Sequence, residues 1–267
     1  MEETRTSKWG AQLRFVGALV ATSLRAALAL RGAFLLQAAF MLANNCIFFA
    51  VWWIFFRNFR EVNGWRFAEI TALYAIVSGG YGLSTILAGG VRTLARRIVD
   101  GDLDAFMTQP KSLLLHAVAS YSSPAGWGDL VTLAVLIYFS GYASHWALVT
   151  ISLLCGTVLF TASGILIHSL AFWAGEIDNL ARQAVEWVIT FSVYPQTIFT
   201  GAMRVMLFTV IPAGFIGYLP VELLRAFRPE LLVFLLAGTL AYAALACFVF
   251  ARGLRRYESG NRFGVRA

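Results

Sequence analysis

Long apolar runs separated by short charged segments dominate this chain. Gly32–Phe56, Ile70–Val91, Leu130–Gly175 and Leu231–Ala251 contain no Asp, Glu, Lys or Arg. A hydrocarbon core of roughly 30 Å is crossed by about 20 helical residues, so each run can span, and the third can span twice about a turn. The runs are continuously apolar rather than alternating, which within lipid means helices that satisfy their own backbone. The chain therefore reads as an all-α polytopic membrane protein.

The pattern divides the chain into two parts. Residues 1–31 hold no uncharged run long enough to cross. Arg14 and Arg25 lie on one helical face and Leu13, Val16, Val20 and Leu24 on another, which predicts an interfacial amphipathic helix; a soluble helix packed on a partner has the same pattern. Residues 32–267 form the membrane domain, with spans expected at about 32–56, 68–91, 125–141, 146–172, 185–200 and 229–251. Its one long polar connection runs from Arg92 to about Pro124, and the third and fourth spans are joined by a tight turn, Tyr142–His145. All 8 Trp residues fall near an expected boundary or on the surface helix, as interfacial indoles do.

Trp187–Val221 permits six spans or seven. Arg5, Lys8, Arg14, Arg25 and Arg31 cluster at one end of the chain, and Arg252, Arg255, Arg256, Arg262 and Arg266 at the other. The positive-inside rule then places both termini in the cytoplasm and requires an even number of crossings, so six are expected. Pro195, Pro212 and Pro220, with Gly201, Gly214 and Gly217, break the second run of this region into pieces too short to cross. Residues 201–228 are accordingly expected to be broken helices dipping into the outer leaflet.

Composition agrees: 59% of residues are hydrophobic and 13% charged. The net charge of +7 gathers at span ends, where anionic lipid explains it better than nucleic acid does. Cys46, Cys155 and Cys247 are widely spaced within apolar runs, which argues against a disulfide framework or a zinc site. His116, His145 and His168 are isolated, so no metal site is expected. The only lysines are Lys8 and Lys111, and no glycine-rich phosphate loop ends in Lys-Ser or Lys-Thr, so the chain is not its own P-loop ATPase. Asp100, Asp102 and Asp104 imitate an EF-hand start, but Ala105 and Lys111 stand where that loop needs Gly and Glu. Met1-Glu2-Glu3 lacks a basic leader, so no cleaved signal is expected.

The most specific segment is Arg96-Arg97-Ile98-Val99-Asp100-Gly101-Asp102-Leu103-Asp104-Ala105-Phe106-Met107-Thr108-Gln109-Pro110. Leu103, Phe106 and Met107 share a face, acids sit near the start and Pro110 closes it, the pattern of a short amphipathic helix or of a solvated loop with anchored side chains. This stretch, Gly128-Asp129-Leu130 at the third span, YPQTIFTG (Tyr194–Gly201) and VIPAGFIGYLP (Val210–Pro220) resemble the permease subunits of bacterial ABC-2 type exporters. The order of elements also matches along the whole chain.

The resemblance implies a bacterial inner-membrane exporter in which two permeases, identical or related, pair and two copies of a separate ABC ATPase bind beneath them. ATP and Mg belong to that partner, and this chain needs no cofactor and performs no bond chemistry. The loop between the second and third spans becomes a coupling helix, a role carried by similarity onto Arg96, Arg97, Asp100, Gly101, Asp102, Leu103, Asp104, Phe106 and Pro110, with Leu103 and Phe106 as apolar anchors.

Asn44 and Asn45 stand mid-span, where they line a path or bond neighbouring helices. Asp129 reads as the N-terminal acid of the third span, and Asp178, Arg182 and Glu186 as one ion-paired helical face. With charges at span ends and no repeat between the halves, an ion-gradient transporter fits less well. A non-transporting scaffold is the other alternative. The same absence of deep charge favours a hydrophobic or amphipathic cargo.

Overall fold

The computed structural model describes residues 3–108 and 112–257, with the side chains of 3–9 and 11–13 left aside. It is helical apart from one two-stranded hairpin. The helices are α1 (Glu3–Ala29), α2 (Arg31–Asn58), α3 (Phe67–Ala88), α4 (Leu94–Val99), α5 (Asp104–Met107), α6 (Leu113–Ala119), α7 (Ala125–Phe139), α8 (Trp146–Ser169), α9 (Ala171–Ala174), α10 (Asp178–Ser192), α11 (Ala202–Thr209), α12 (Leu219–Arg225) and α13 (Pro229–Leu254). Strands β1 (Glu61–Val62) and β2 (Trp65–Arg66) pair antiparallel between α2 and α3.

Among the described residues, 4 helices are long and apolar enough to cross a membrane: Arg31–Asn58, Phe67–Val99, Ala143–Ala174 and Pro229–Leu254. A fifth is reached if the pair Ala202–Thr209 and Gly214–Arg225, bent by 77°, is one broken span. Helix α7 is apolar but shorter. Helix α10 starts at Asp178 and ends at Ser192, earlier at both ends than the 185–200 stretch read from hydropathy. Its first turns carry Asp178 and Arg182, joined by an ion pair, so the helix begins in a polar segment that a hydropathy window passes over.

Helix α3 is the axis of the bundle. It is buried along most of its length and packs on α7 and α8, while α2 and α13 lie outside. Glycine makes that closeness possible: a Cβ at Gly82 would sit 2.4 Å from Cβ of Asp129, and one at Gly80 3.3 Å from the backbone of Gly156. On the far side of α7, a Cβ at Gly128 would meet the carbonyl of Ala38 on α2 at 2.3 Å. Small residues let backbones meet where lipid supplies no hydrophobic drive to pack. Hydroxyls within the helices satisfy themselves on preceding carbonyls, as Ser163 does on Leu159 (2.7 Å) and Thr239 on Leu235 (2.8 Å).

At one end of the bundle the broken segment turns inward as expected from its prolines and glycines. Gly217 approaches Leu73 and the carbonyl of Ser192, and the Tyr218 hydroxyl donates to the Phe191 carbonyl at 2.8 Å. Arg225 clips this segment to the hairpin: it donates to Glu222 (2.7 Å), Glu69 (2.9 Å) and the Gly64 carbonyl (2.8 Å) and lies 4.5 Å over the Trp65 ring. The expected surface helix is also two-faced. Phe15, Val16, Leu19, Val20, Ser23 and Leu24 are half-buried and Arg14 and Arg25 exposed, with the covered side packed on α6.

Gly82→Val is expected to overpack the α3–α7 contact at a cost of about 1–3 kcal/mol or more, whereas Gly32→Ala, with nothing within 4 Å, is neutral or slightly stabilising. Thermal unfolding of the purified protein measures both. An unchanged midpoint for Gly82→Val contradicts the packing described.

Candidate functional site

Two adjacent asparagines divide two tasks. Asn45 is the one buried residue of α2. Its Nδ2 donates to Asp129 Oδ1 at 2.7 Å and to Thr132 Oγ1 at 3.1 Å, and lies 3.4 Å from Ser78 Oγ. The Ser78 hydroxyl reaches the same Asp129 Oδ1 at 3.3 Å, and the Tyr74 hydroxyl donates to Asn45 Oδ1 at 3.4 Å. This node ties α2, α3 and α7 together. Both asparagines border a cavity, but Asn44, one residue earlier and so about 100° round the helix, is exposed there whereas Asn45 is buried in the node.

Asp129 is therefore not a boundary acid. It is 2% exposed and meets α2 and α3 near their middles, which corrects the expectation that charge is confined to span ends. Hydropathy misses it because α7 is short and the preceding segment already lies inside the bundle, the Ser123 amide donating to the Thr85 carbonyl at 3.0 Å. The signal available in sequence was the pair Gly126 and Gly128 just before Asp129, small residues that allow close approach of neighbouring helices.

The cavity, about 430 Å³, lies between α2, α3, α7 and α10. Met41, Phe48, Val77, Ile189 and Val193 give it apolar walls; Tyr74, Tyr81 and Tyr194 add rings; Asn44, Asp129, Arg92 and Glu186 add polar groups. That size and mixture suit a small organic molecule.

The second candidate is the Arg96–Thr108 turn at the opposite end from the Arg225 clip. Asp100 ends α4, Gly101 takes φ +76°, a value that favours glycine, and α5 forms a single turn. Arg96 and Asp100 pair at 3.4 Å and line a polar cleft of about 600 Å³ with Glu176, Asp178 and Arg182. Arg97 points the other way, donating to the Ala117 carbonyl (3.1 Å) and Ser120 Oγ (2.9 Å) and lying 5.3 Å over the Phe106 ring.

Leu103 corrects the anchor assignment. It is 0% exposed, in the same cluster as Leu94, Ile98, Ala117 and Phe250, so it holds the turn to its own bundle and has no side chain to offer a partner. Phe106 is half-buried against the His116 ring (4.7 Å), which also meets Phe15 of α1 (5.2 Å). Burial first, and then nearby Arg97, hold the His116 pKa below its ordinary value, so the ring in this stack is neutral at pH 7. Tyr257, just past α13, is pushed up to about 12 by burial and then by Asp104 of the turn. Asp102 lies in the turn, its amide on the Arg97 carbonyl at 3.0 Å. Ala105, Met107 and Thr108 face outward, Met107 at 43% exposure. Pro110 lies outside the described residues.

Among the described residues no three His, Cys, Asp or Glu side chains are placed to hold a metal ion.

Asn45→Leu is expected to destabilise by about 3 kcal/mol or more, because it leaves a buried carboxylate without its nearest donor. Asn44→Leu is expected within about 0.5 kcal/mol of wild type. Chemical or steric-trap unfolding in bilayers compares them, and equal effects contradict the division of roles.

The family described as ABC-2 family transporter protein matches residues 41–261, from the middle of α2 past the end of α13. No curated protein and no solved structure matches the chain. The family match covers the node, the cavity, the Arg96–Thr108 turn and the bent 202–225 segment together, and the chain belongs to the ABC-2 transporter family as a multi-pass permease that associates with an ABC ATPase.

Proposed function

We propose that this chain is the membrane half of an ATP-driven exporter, with the Arg96–Thr108 turn as its coupling helix. The observation that carries the reading is the turn's two-sidedness. Leu103, Arg97 and Phe106 brace it from behind, and Ala105, Met107 and Thr108 are left outward on a rigid support. A solvated loop has no need of that bracing. Exposed Met107 is the apolar contact, and the charged cleft beside it, with Arg96, Asp100 and Glu176, sets orientation.

In this reading both termini are cytoplasmic, the chain crosses a bacterial inner membrane six times, α1 lies on the inner surface, and the bent segment enters the outer leaflet without crossing. A second permease, a copy or a relative, covers the mostly exposed α2 and closes the cavity between α2 and α10. Two ATPases, holding ATP and Mg, drive the pair between inward- and outward-facing states. The permease contributes the difference in stability between those states. The cargo is a hydrophobic or amphipathic molecule.

Met107→Glu tests this without touching the core. Apolar interface contacts cost more than about 1 kcal/mol each on loss, so tenfold weaker binding of the co-expressed ATPase is expected, with normal insertion and a parallel loss of ATP hydrolysis in proteoliposomes. Undiminished binding and hydrolysis in this variant, alone and with Phe106→Ala, contradict the coupling role.

A further inference from the structure

We propose that the cavity beside Asp129 takes a cationic amphiphile, a single positive charge on an apolar or aromatic body, with the charge paired to that carboxylate. The inference rests on the transport reading above and names its cargo class.

Three observations carry it. First, both side-chain donors to Asp129, from Asn45 and Ser78, converge on Oδ1, and Oδ2 has no donor among the described residues although the side chain is 2% exposed and lines the cavity. A carboxyl buried in a low-dielectric site with an oxygen to spare ionises at least cost when a counter-charge sits beside it, so ionisation and binding of a cation favour each other. Second, the other charged groups of the wall oppose each other. Arg92 and Glu186, one base and one acid, are both exposed and belong to the cavity wall, leaving Asp129 as its buried acid. Third, the rest of the wall suits the body of such a molecule. Phe48, Tyr74, Tyr81 and Tyr194 present rings that favour cations, and about 430 Å³ is within the range of small-molecule sites. An anion would face Asp129 and Glu186, with Arg92 as the one base of the wall.

The test uses the full chain in nanodiscs of zwitterionic lipid and two probes of equal shape and opposite charge, tetraphenylphosphonium and tetraphenylborate, followed by equilibrium dialysis without ATP. Saturable binding of the cation, at least tenfold tighter than any saturable binding of the anion, is expected. Asp129→Asn, which keeps an acceptor for Asn45, should lower cation affinity at least tenfold. Equal binding of the two probes, or unchanged affinity in Asp129→Asn, overturns the proposal. Should that variant fail to fold, Thr190→Cys decides: Thr190 lines the cavity and is exposed, so the cation should slow its alkylation and the anion should not. An absence of selective protection overturns the proposal equally. Because no ATPase takes part in this assay, absence of selective cation binding in a chain that still captures its co-expressed ATPase rejects the cargo class alone, whereas failure of the unmutated chain to capture an ATPase rejects the transport reading.

Discussion

A carboxylate inside an apolar bundle must be supplied with donors or given up, and the arrangement of α2, α3 and α7 follows from that demand. Asp129 draws Asn45 and Ser78 to a single oxygen, which fixes the height and rotation of α2 against α7. The approach is possible because Gly82 and Gly128 remove the side chains that would hold the backbones apart. Dispersion alone would let α2 slide, since its outer surface is as apolar as lipid. The node converts a slippery contact into a registered one. It also leaves the adjoining cavity with an acid on its wall.

The two ends of the molecule differ in how they are tied. At one, Arg225 joins the hairpin, α3 and the bent segment through three hydrogen bonds and a ring. At the other, the Arg96–Thr108 turn is held from behind by Leu103 in the core, by Arg97 on α6, and by the Phe106–His116–Phe15 stack that reaches α1. These contacts join the turn to α4, α6 and α1. Helix α10 packs mainly on α8 and less on α3.

Local patterns were readable from sequence. The apolar runs give α2, α3, α8 and α13; the face of Arg14 and Arg25 gives α1; and the prolines and glycines after Gly201 give the bent segment. What could not be read depends on contacts between distant residues. The depth of Asp129 is set by Asn45, 84 positions away in the chain. Leu103 has the spacing of an exposed anchor, yet Leu94, Ile98 and Phe250 claim it for the core, and Arg97 turns inward because the Ala117 carbonyl and Ser120 are there to receive it. The adjacent Asn44 and Asn45 look equivalent in sequence, and only the position of α7 separates them.

The central claim is that Asn45 and Asp129 act as one unit. A double-mutant cycle with Asn45→Leu, Asp129→Leu and the pair, read by unfolding in bilayers, measures their coupling directly. Neutral hydrogen bonds between membrane helices average about 0.6 kcal/mol, so a buried carboxylate with its donor is expected to exceed about 1.5 kcal/mol, with the double variant more stable than Asn45→Leu alone. Effects that add to within about 0.5 kcal/mol would contradict the account.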